Sequence, residues 1–231
     1  MADAVCPDPA DRGAGLRLAD RTPGAEKQAA DVATLKELRR GLRAPRRALA
    51  EAASSTVEPR IRQSSEKAMN RAPEPGNAAE RGLLLGWLAF HRDALAAKCE
   101  GLTDEQLVMA SAPPSDLSLL GLVRHMTEME HAYVVRALAG GEFSWVYCSG
   151  EAPDADISDL TPDMVAASMA RWHDERRRAD QLLSATGPLG ATAAGNRFSV
   201  RWNLVKVIGE YARHNGHADL IRERIDGATG E

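Results

Sequence analysis

Apolar residues recur at helical spacing through the C-terminal part of the chain, and the recurrence predicts four long helices. The first runs from about Ala79 to Cys99, with Leu84, Leu88, His91 and Leu95 on one face. Gly101 follows it as a stop. A short helical turn opens after Thr103, which is placed to cap Asp104-Glu105-Gln106. The string APPSD, Ala112 to Asp116, is a breaker. The second helix starts near Ser118 and runs to about Leu138. Leu119, Leu122, Val123, Met126, Tyr133, Val134 and Ala137 form its buried stripe, and Gly140-Gly141 ends it. Glu142 to Leu160 reads as a long loop with acidic turn residues and two aromatics, Trp145 and Tyr147. The third helix opens with Thr161 as cap, Pro162 in the first turn and Asp163 against the helix dipole. It continues through Val165, Met169, Trp172, Ala179 and Leu183. A glycine-rich loop, Gly187 to Asn196, leads to a fourth helix that begins near Ser199 and ends before Gly227. There is no β-alternation long enough for a sheet and no internal repeat. The expected fold class is all-α, a four-helix bundle.

Residues 1–78 follow no such pattern. They hold no aromatic residue and no histidine, and they carry a net charge of +3 against −7 for residues 79–231. Rich in Ala, Arg, Pro and Glu, they bury too little apolar surface to offset the entropy of ordering. We expect an N-terminal extension, disordered or weakly helical, ahead of a bundle domain over 79–231. Val32, Leu35, Leu38 and Leu42 have helical spacing in that extension, but Gly41 and Pro45 cut the segment short. Met69 is an alternative start position just ahead of the bundle.

Composition narrows the function classes. No apolar run approaches the roughly 18–20 residues that cross a bilayer, so no membrane partner is expected. The N-terminus lacks the basic and apolar regions of a secretory signal. Cys6, Cys99 and Cys148 are odd in number and far apart, which is no disulfide framework and fits a reducing cytoplasm. A net charge of −4 argues against a dedicated nucleic-acid binder. Arg176-Arg177-Arg178 reads as a solvated face of the third helix, and Trp87, Trp172 and Trp202 as packing residues. The loop from Gly187 lacks the Lys-Ser/Thr of a phosphate loop.

The informative segment is EYARHNGHADLIRERIDG, Glu210 to Gly227. Glu210, His214, His217 and Ile221 lie along one side of a helix. Glu210 and His214 are four apart, so both side chains reach one point and can share a divalent cation. His125, beside the stripe of Leu122, Met126 and Met129 on the second helix, supplies a third ligand. Bundles build metal sites from facing helices. The alternative from spacing alone is a core histidine with one hydrogen bond and a Glu210 paired to Arg213 or Lys206.

The strings DLSLLGLVRHMTEMEH (Asp116 to His131) and EYARHNGHADLIRERIDGATGE (Glu210 to Glu231) resemble the two signature segments of the DinB-like superfamily. GLTDEQL and PPSDLSLLGL are similar to its branch named after the actinobacterial mini-circle protein. The likeness covers residues 79–231. It implies a four-helix bundle binding a divalent metal, often zinc or nickel, through one histidine of the second helix and an i,i+4 pair of the last. That pair is Glu and His in the mycothiol-dependent maleylpyruvate isomerase. Carried over, the ligands fall on His125, Glu210 and His214. Branch members usually read HMIEEYARH where this chain reads KVIGEYARH, so Lys206 replaces a histidine and Gly209 a glutamate. Lys206 then competes for Glu210, and His217 is the substitute ligand or supporting base.

The resemblance further implies a metal-activated small thiol, mycothiol or a relative, attacking a small electrophile in a transferase or isomerase reaction. His217 is the candidate proton-shuttling catalytic residue, ahead of Asp219 and Arg213. Cys99 and Cys148 read as packing residues, and Trp145 and Tyr147 as candidates for the mouth of the site. The alternatives are a non-catalytic binding or stress-response bundle with a degraded site, and a metal-dependent hydrolase. Bundles of this superfamily often pair, so a homodimer is compatible with the resemblance, although no exposed seam is readable.

Overall fold

The computed structural model describes residues 72–229. The expectations for Cys6, for the segment Val32 to Leu42 and for Met69 lie outside the described residues. Four long helices account for most of what is described: α1 (Glu80–Cys99), α3 (Leu119–Glu130), α4 (Val165–Ala185) and α5 (Val200–Asp226), with a single turn α2 (Asp104–Leu107) after α1. An isolated bridge between Thr192 and Ser199 is the β-type pairing seen among the described residues. The all-α expectation holds.

The helix starts follow from their caps. Thr103 and Gln106 form the reciprocal capping box of α2. Ser118 accepts from the Gly121 N–H at 3.1 Å, and Ser199 accepts from the Trp202 N–H at 3.1 Å. Gly101 and Gly227 follow α1 and α5 with φ of 72° and 75°, the left-handed conformation that suits glycine after a helix. Thr161 departs from expectation, because its side chain makes no capping bond. Pro162–Met164 forms a 3-10 turn ahead of α4, and the Thr161 carbonyl accepts from the Met164 N–H at 3.0 Å. The tighter turn satisfies the backbone without the hydroxyl.

The second helix holds a feature its periodicity did not predict. Beyond Glu130 it widens into a π-helical turn, His131–Arg136, before a last α-turn, Ala137–Ala139. Gly195 packs its backbone against this stretch and donates to the Ala137 carbonyl at 2.8 Å. A Cβ at Gly195 would collide with the Arg136 carbonyl, so no larger residue fits there.

The core is aliphatic, with Leu88, Leu95, Leu119, Leu122, Val123, Met126, Leu204 and Val207 fully buried around Trp172 and Tyr211. Through that core runs a polar chain. Arg92 of α1 donates to both oxygens of Glu130 at 2.6 and 2.7 Å. Tyr211 of α5 donates to Glu130 Oε1 at 2.9 Å, and Trp172 of α4 donates to the Tyr211 hydroxyl at 2.9 Å. One carboxylate thus ties all four helices together.

Two surface expectations change. Trp202 is about two-fifths exposed (39%), because it sits in the first turn of α5 and stacks on Phe198 at 3.8 Å rather than in the core. The arginine run is not a uniformly solvated face. Arg176 pairs with Asp93 at 3.0 Å and lies over Trp172, and Arg178, itself exposed, reaches the buried Glu175 at 2.9 Å; Arg177 stays at the surface with Asp174.

Glu175 gives a pH prediction. Burial pushes its carboxyl up, but a hydrogen bond and charge from His131, with Arg178 and Arg171, outweigh that and hold it below its ordinary value near 4.5. A depressed carboxyl stabilises the fold fully above the unfolded value and ceases to do so as pH falls through the folded one. Glu175→Gln is therefore expected to flatten the acid side of the stability curve below about pH 4.5. Urea unfolding from pH 6 to pH 3 measures it, and an unchanged acid limb would contradict it.

Candidate metal centre

α3 and α5 bring the three anticipated residues together. One nitrogen or oxygen from each of His125, Glu210 and His214 lies within 4.8 Å of the others, and all three residues are buried. The two imidazoles approach with ring centroids 4.7 Å apart. His214 Nε2 lies 3.6 Å from Glu210 Oε2, as the i,i+4 spacing requires. His125 reaches them from α3, because the stripe that buries Leu122 and Met126 turns position 125 inward as well.

Donor chemistry tests whether a cation fits. His125 Nε2 and Glu210 Oε2 are buried and have no hydrogen-bond partner among the described residues. Buried polar atoms are nearly always satisfied, so two at one point call for a partner. Two imidazole nitrogens and a carboxylate oxygen form a set that suits zinc, nickel or another first-row divalent ion. The residues fit such an ion.

The other oxygen of the carboxylate is engaged. Lys206, one turn earlier on α5, donates to Glu210 Oε1. The salt-bridge alternative drawn from the spacing and the metal alternative therefore both find support at Glu210, each at its own oxygen. Burial alone would push the Glu210 carboxyl up, but the His214 imidazole 3.6 Å away and the Lys206 ammonium bonded to its other oxygen pull it down to about 2. The Lys206 ammonium also lies 5.5 Å from the Tyr133 ring.

His217 does not join the trio. It is half-buried, and its Nδ1 lies 3.2 Å from His214 Nδ1. That places it behind a proposed ligand. Asp219 is taken by Lys98 at 2.6 Å, and Arg213 lies exposed on α5. Burial pushes the Cys99 thiol up to about 12, which fits the packing reading. Trp145 packs edge-on against Phe143, with centroids 4.4 Å apart.

Sequence reasoning missed the surroundings of His125. Asp156, fully buried in the long loop, places Oδ2 2.8 Å from His125 Nδ1. The Cys148 thiol bonds to the same carboxyl group, so Cys148 is more than packing. Burial pushes Asp156 up, yet His125, Cys148 and its own backbone amide hold it below the ordinary carboxylate range. Glu128, one turn beyond His125, accepts from the N–H groups of Val146, Tyr147 and Cys148. A glutamate next to the apolar stripe was a readable signal for Glu128. Nothing in the loop marked Asp156 among its acidic neighbours.

A helical bundle that turns two histidines and a carboxylate inward from α3 and α5 is of the DinB-like class. The profile of the mycothiol-S-transferase family matches residues 83–227, nearly the whole described region. The chain belongs to that family, and its function is of the mycothiol-related transferase type. No curated protein and no solved structure matches the chain. No helix among the described residues is long and apolar enough to cross a membrane.

Proposed function

We propose that the chain is a divalent-metal-dependent S-transferase in which His125, Glu210 and His214 hold the cation and a mycothiol-type thiol attacks a small electrophile. The buried convergence of those three donors supports the reading, since two of the atoms have no other partner. When bound, zinc or nickel there would acidify a thiol or water beside it. Glu210 contributes one negative charge against the ion's two, and three protein donors leave coordination positions open. His217, bonded to His214 and partly open to solvent, is the proposed group for proton exchange. The attacking sulfur comes from the small thiol, because the Cys99 thiol is buried and hard to ionise. The cysteine content fits work in a reducing cytoplasm.

One observation favours a second reading. Lys206 already neutralises part of Glu210, as it would in a binding bundle that has given up its ion. Metal analysis of the purified full-length chain separates the two. Wild type is expected to retain zinc or nickel in stoichiometric amount, and His125→Ala to lose most of it. Lys206→Met is expected to bind the ion more tightly in competition with a chelator, because a competing cation is gone. A wild-type chain that takes up no more zinc than His125→Ala would leave only the binding bundle. Turnover of an electrophile with and without added small thiol then decides between transfer and hydrolysis.

A further inference from the structure

A single turn of α3 carries both a proposed ligand and the fastenings of the loop beside it. Glu128 holds the backbone of Val146, Tyr147 and Cys148 at 2.6 to 3.1 Å. Arg124 donates to the carbonyls of Ala155 at 2.8 Å and Asp156 at 3.3 Å, and its guanidinium lies 3.8 Å above the Tyr147 ring. At the second of these fastenings the loop delivers Asp156 to His125 Nδ1. An ionised carboxylate only accepts, so the proton of a neutral imidazole facing it sits on Nδ1. The lone pair is then on Nε2, across the ring, and Nε2 is the atom without a hydrogen-bond partner. Keeping a carboxylate out of water is costly, and a second contact that fixes a ligand's tautomer is what such a group commonly supplies at metal centres.

We propose that Asp156 is the positioning residue of the centre, fixing His125 as the Nδ1–H tautomer with its Nε2 lone pair aimed at the point shared with Glu210 and His214, and that Glu128 holds it there by anchoring the loop. The proposal rests on the metal reading of the trio, and it adds to that reading a dependence of ligand geometry on a loop far from it in sequence. Packing alone would not select one tautomer, whereas orientation by an acceptor does. An amide oxygen can replace the carboxylate as acceptor, but a methyl group cannot.

The test uses the full-length chain and the variants Asp156→Ala, Asp156→Asn and Glu128→Ala. Two-bond proton–nitrogen spectra of the histidine rings, with His125 assigned by difference from His125→Gln, report the tautomer without any metal. Competition with a chromophoric chelator reports zinc affinity, and thermal unfolding checks the fold. Wild type should show Nδ1–H at His125. Asp156→Ala should lose that preference and bind zinc about 10–100-fold more weakly. Asp156→Asn should keep the tautomer and recover most of the affinity, and Glu128→Ala, which removes the acceptor, should weaken zinc binding in the same direction as Asp156→Ala. A wild-type tautomer and affinity in Asp156→Ala would overturn the proposal, as would an Asp156→Asn no better than Asp156→Ala. Undiminished zinc binding by Glu128→Ala would remove Glu128 from it. If Asp156→Ala does not fold, the tautomer in Asp156→Asn decides, since its loss overturns the proposal and its retention supports it. A wild-type chain that shows the Nδ1–H tautomer but binds no zinc would sink the metal reading and leave the orientation of His125 standing.

Discussion

Glu130→Ala is expected to cost about 3–5 kcal/mol of folding stability, a large share of the roughly 5–15 kcal/mol that a domain possesses. Both members of the Arg92–Glu130 pair are almost fully shielded from water, with side-chain exposures of 4% and 0%. Removing the carboxylate leaves the buried guanidinium held by Asp180 at one nitrogen alone, with two N–H groups unmatched, and leaves Tyr211 with a donor and no acceptor. Arg92→Ala should cost a similar amount, since the charge left behind is then Glu130. The Arg92→Met, Glu130→Leu double variant should recover most of the loss, because the penalty lies in the unpaired charge and not in the missing pair. Urea unfolding with a constant denaturant slope measures all three. A loss below about 1 kcal/mol in Glu130→Ala would mean that water reaches the site and that this carboxylate does not bind the helices together.

Thiol transfer should fall about a hundredfold or more in His214→Ala. A bound cation contributes several kcal/mol to such a reaction, and each 1.36 kcal/mol is a factor of ten. His125→Ala should fall as far. The double variant should be little worse than either single one, because in the proposed centre both histidines act through one ion and a lost ion cannot be lost twice. The measurement is kcat/KM for a small thiol and a fluorogenic electrophile, with unfolding curves to show that each variant is folded. Two single losses that multiply in the double variant would mean that the histidines act independently, which contradicts a shared ion.

The bundle was legible because its helices are marked twice, once by the apolar stripe and once by their ends. Thr103, Ser118, Ser199, Gly101 and Gly227 each act as anticipated, since a cap depends on local backbone groups that the sequence specifies. The proposed ligands were legible for a related reason. Glu210 and His214 are near neighbours on one helix, and His125 lies beside a clear stripe. Asp156 was not, because its meeting with His125 joins residues 31 apart through a loop whose path periodicity does not encode. Arg92 and Glu130 escaped notice for another reason. A charged residue on an inner face reads as solvated until its partner, 38 residues away, is seen. Trp202 shows the opposite error, where a large ring on a helix stayed near the surface because a neighbouring ring covers it.

The π-turn at His131–Arg136 takes up one extra residue in a rod whose two ends must both keep their rotational phase. Upstream, the rod's angle is dictated by His125 and Glu128; downstream, it is dictated by the glycine contact of the loop that follows α4. The six residues of the π-turn carry the rod as far round as roughly five of α-helix, so deleting one residue within 131–136 would restore an ordinary helical pitch with everything beyond it still in phase. The trio would keep its arrangement and Ala137 its bond to Gly195, so this turn is a place where the rod can lose one residue and spare both the seam and the centre.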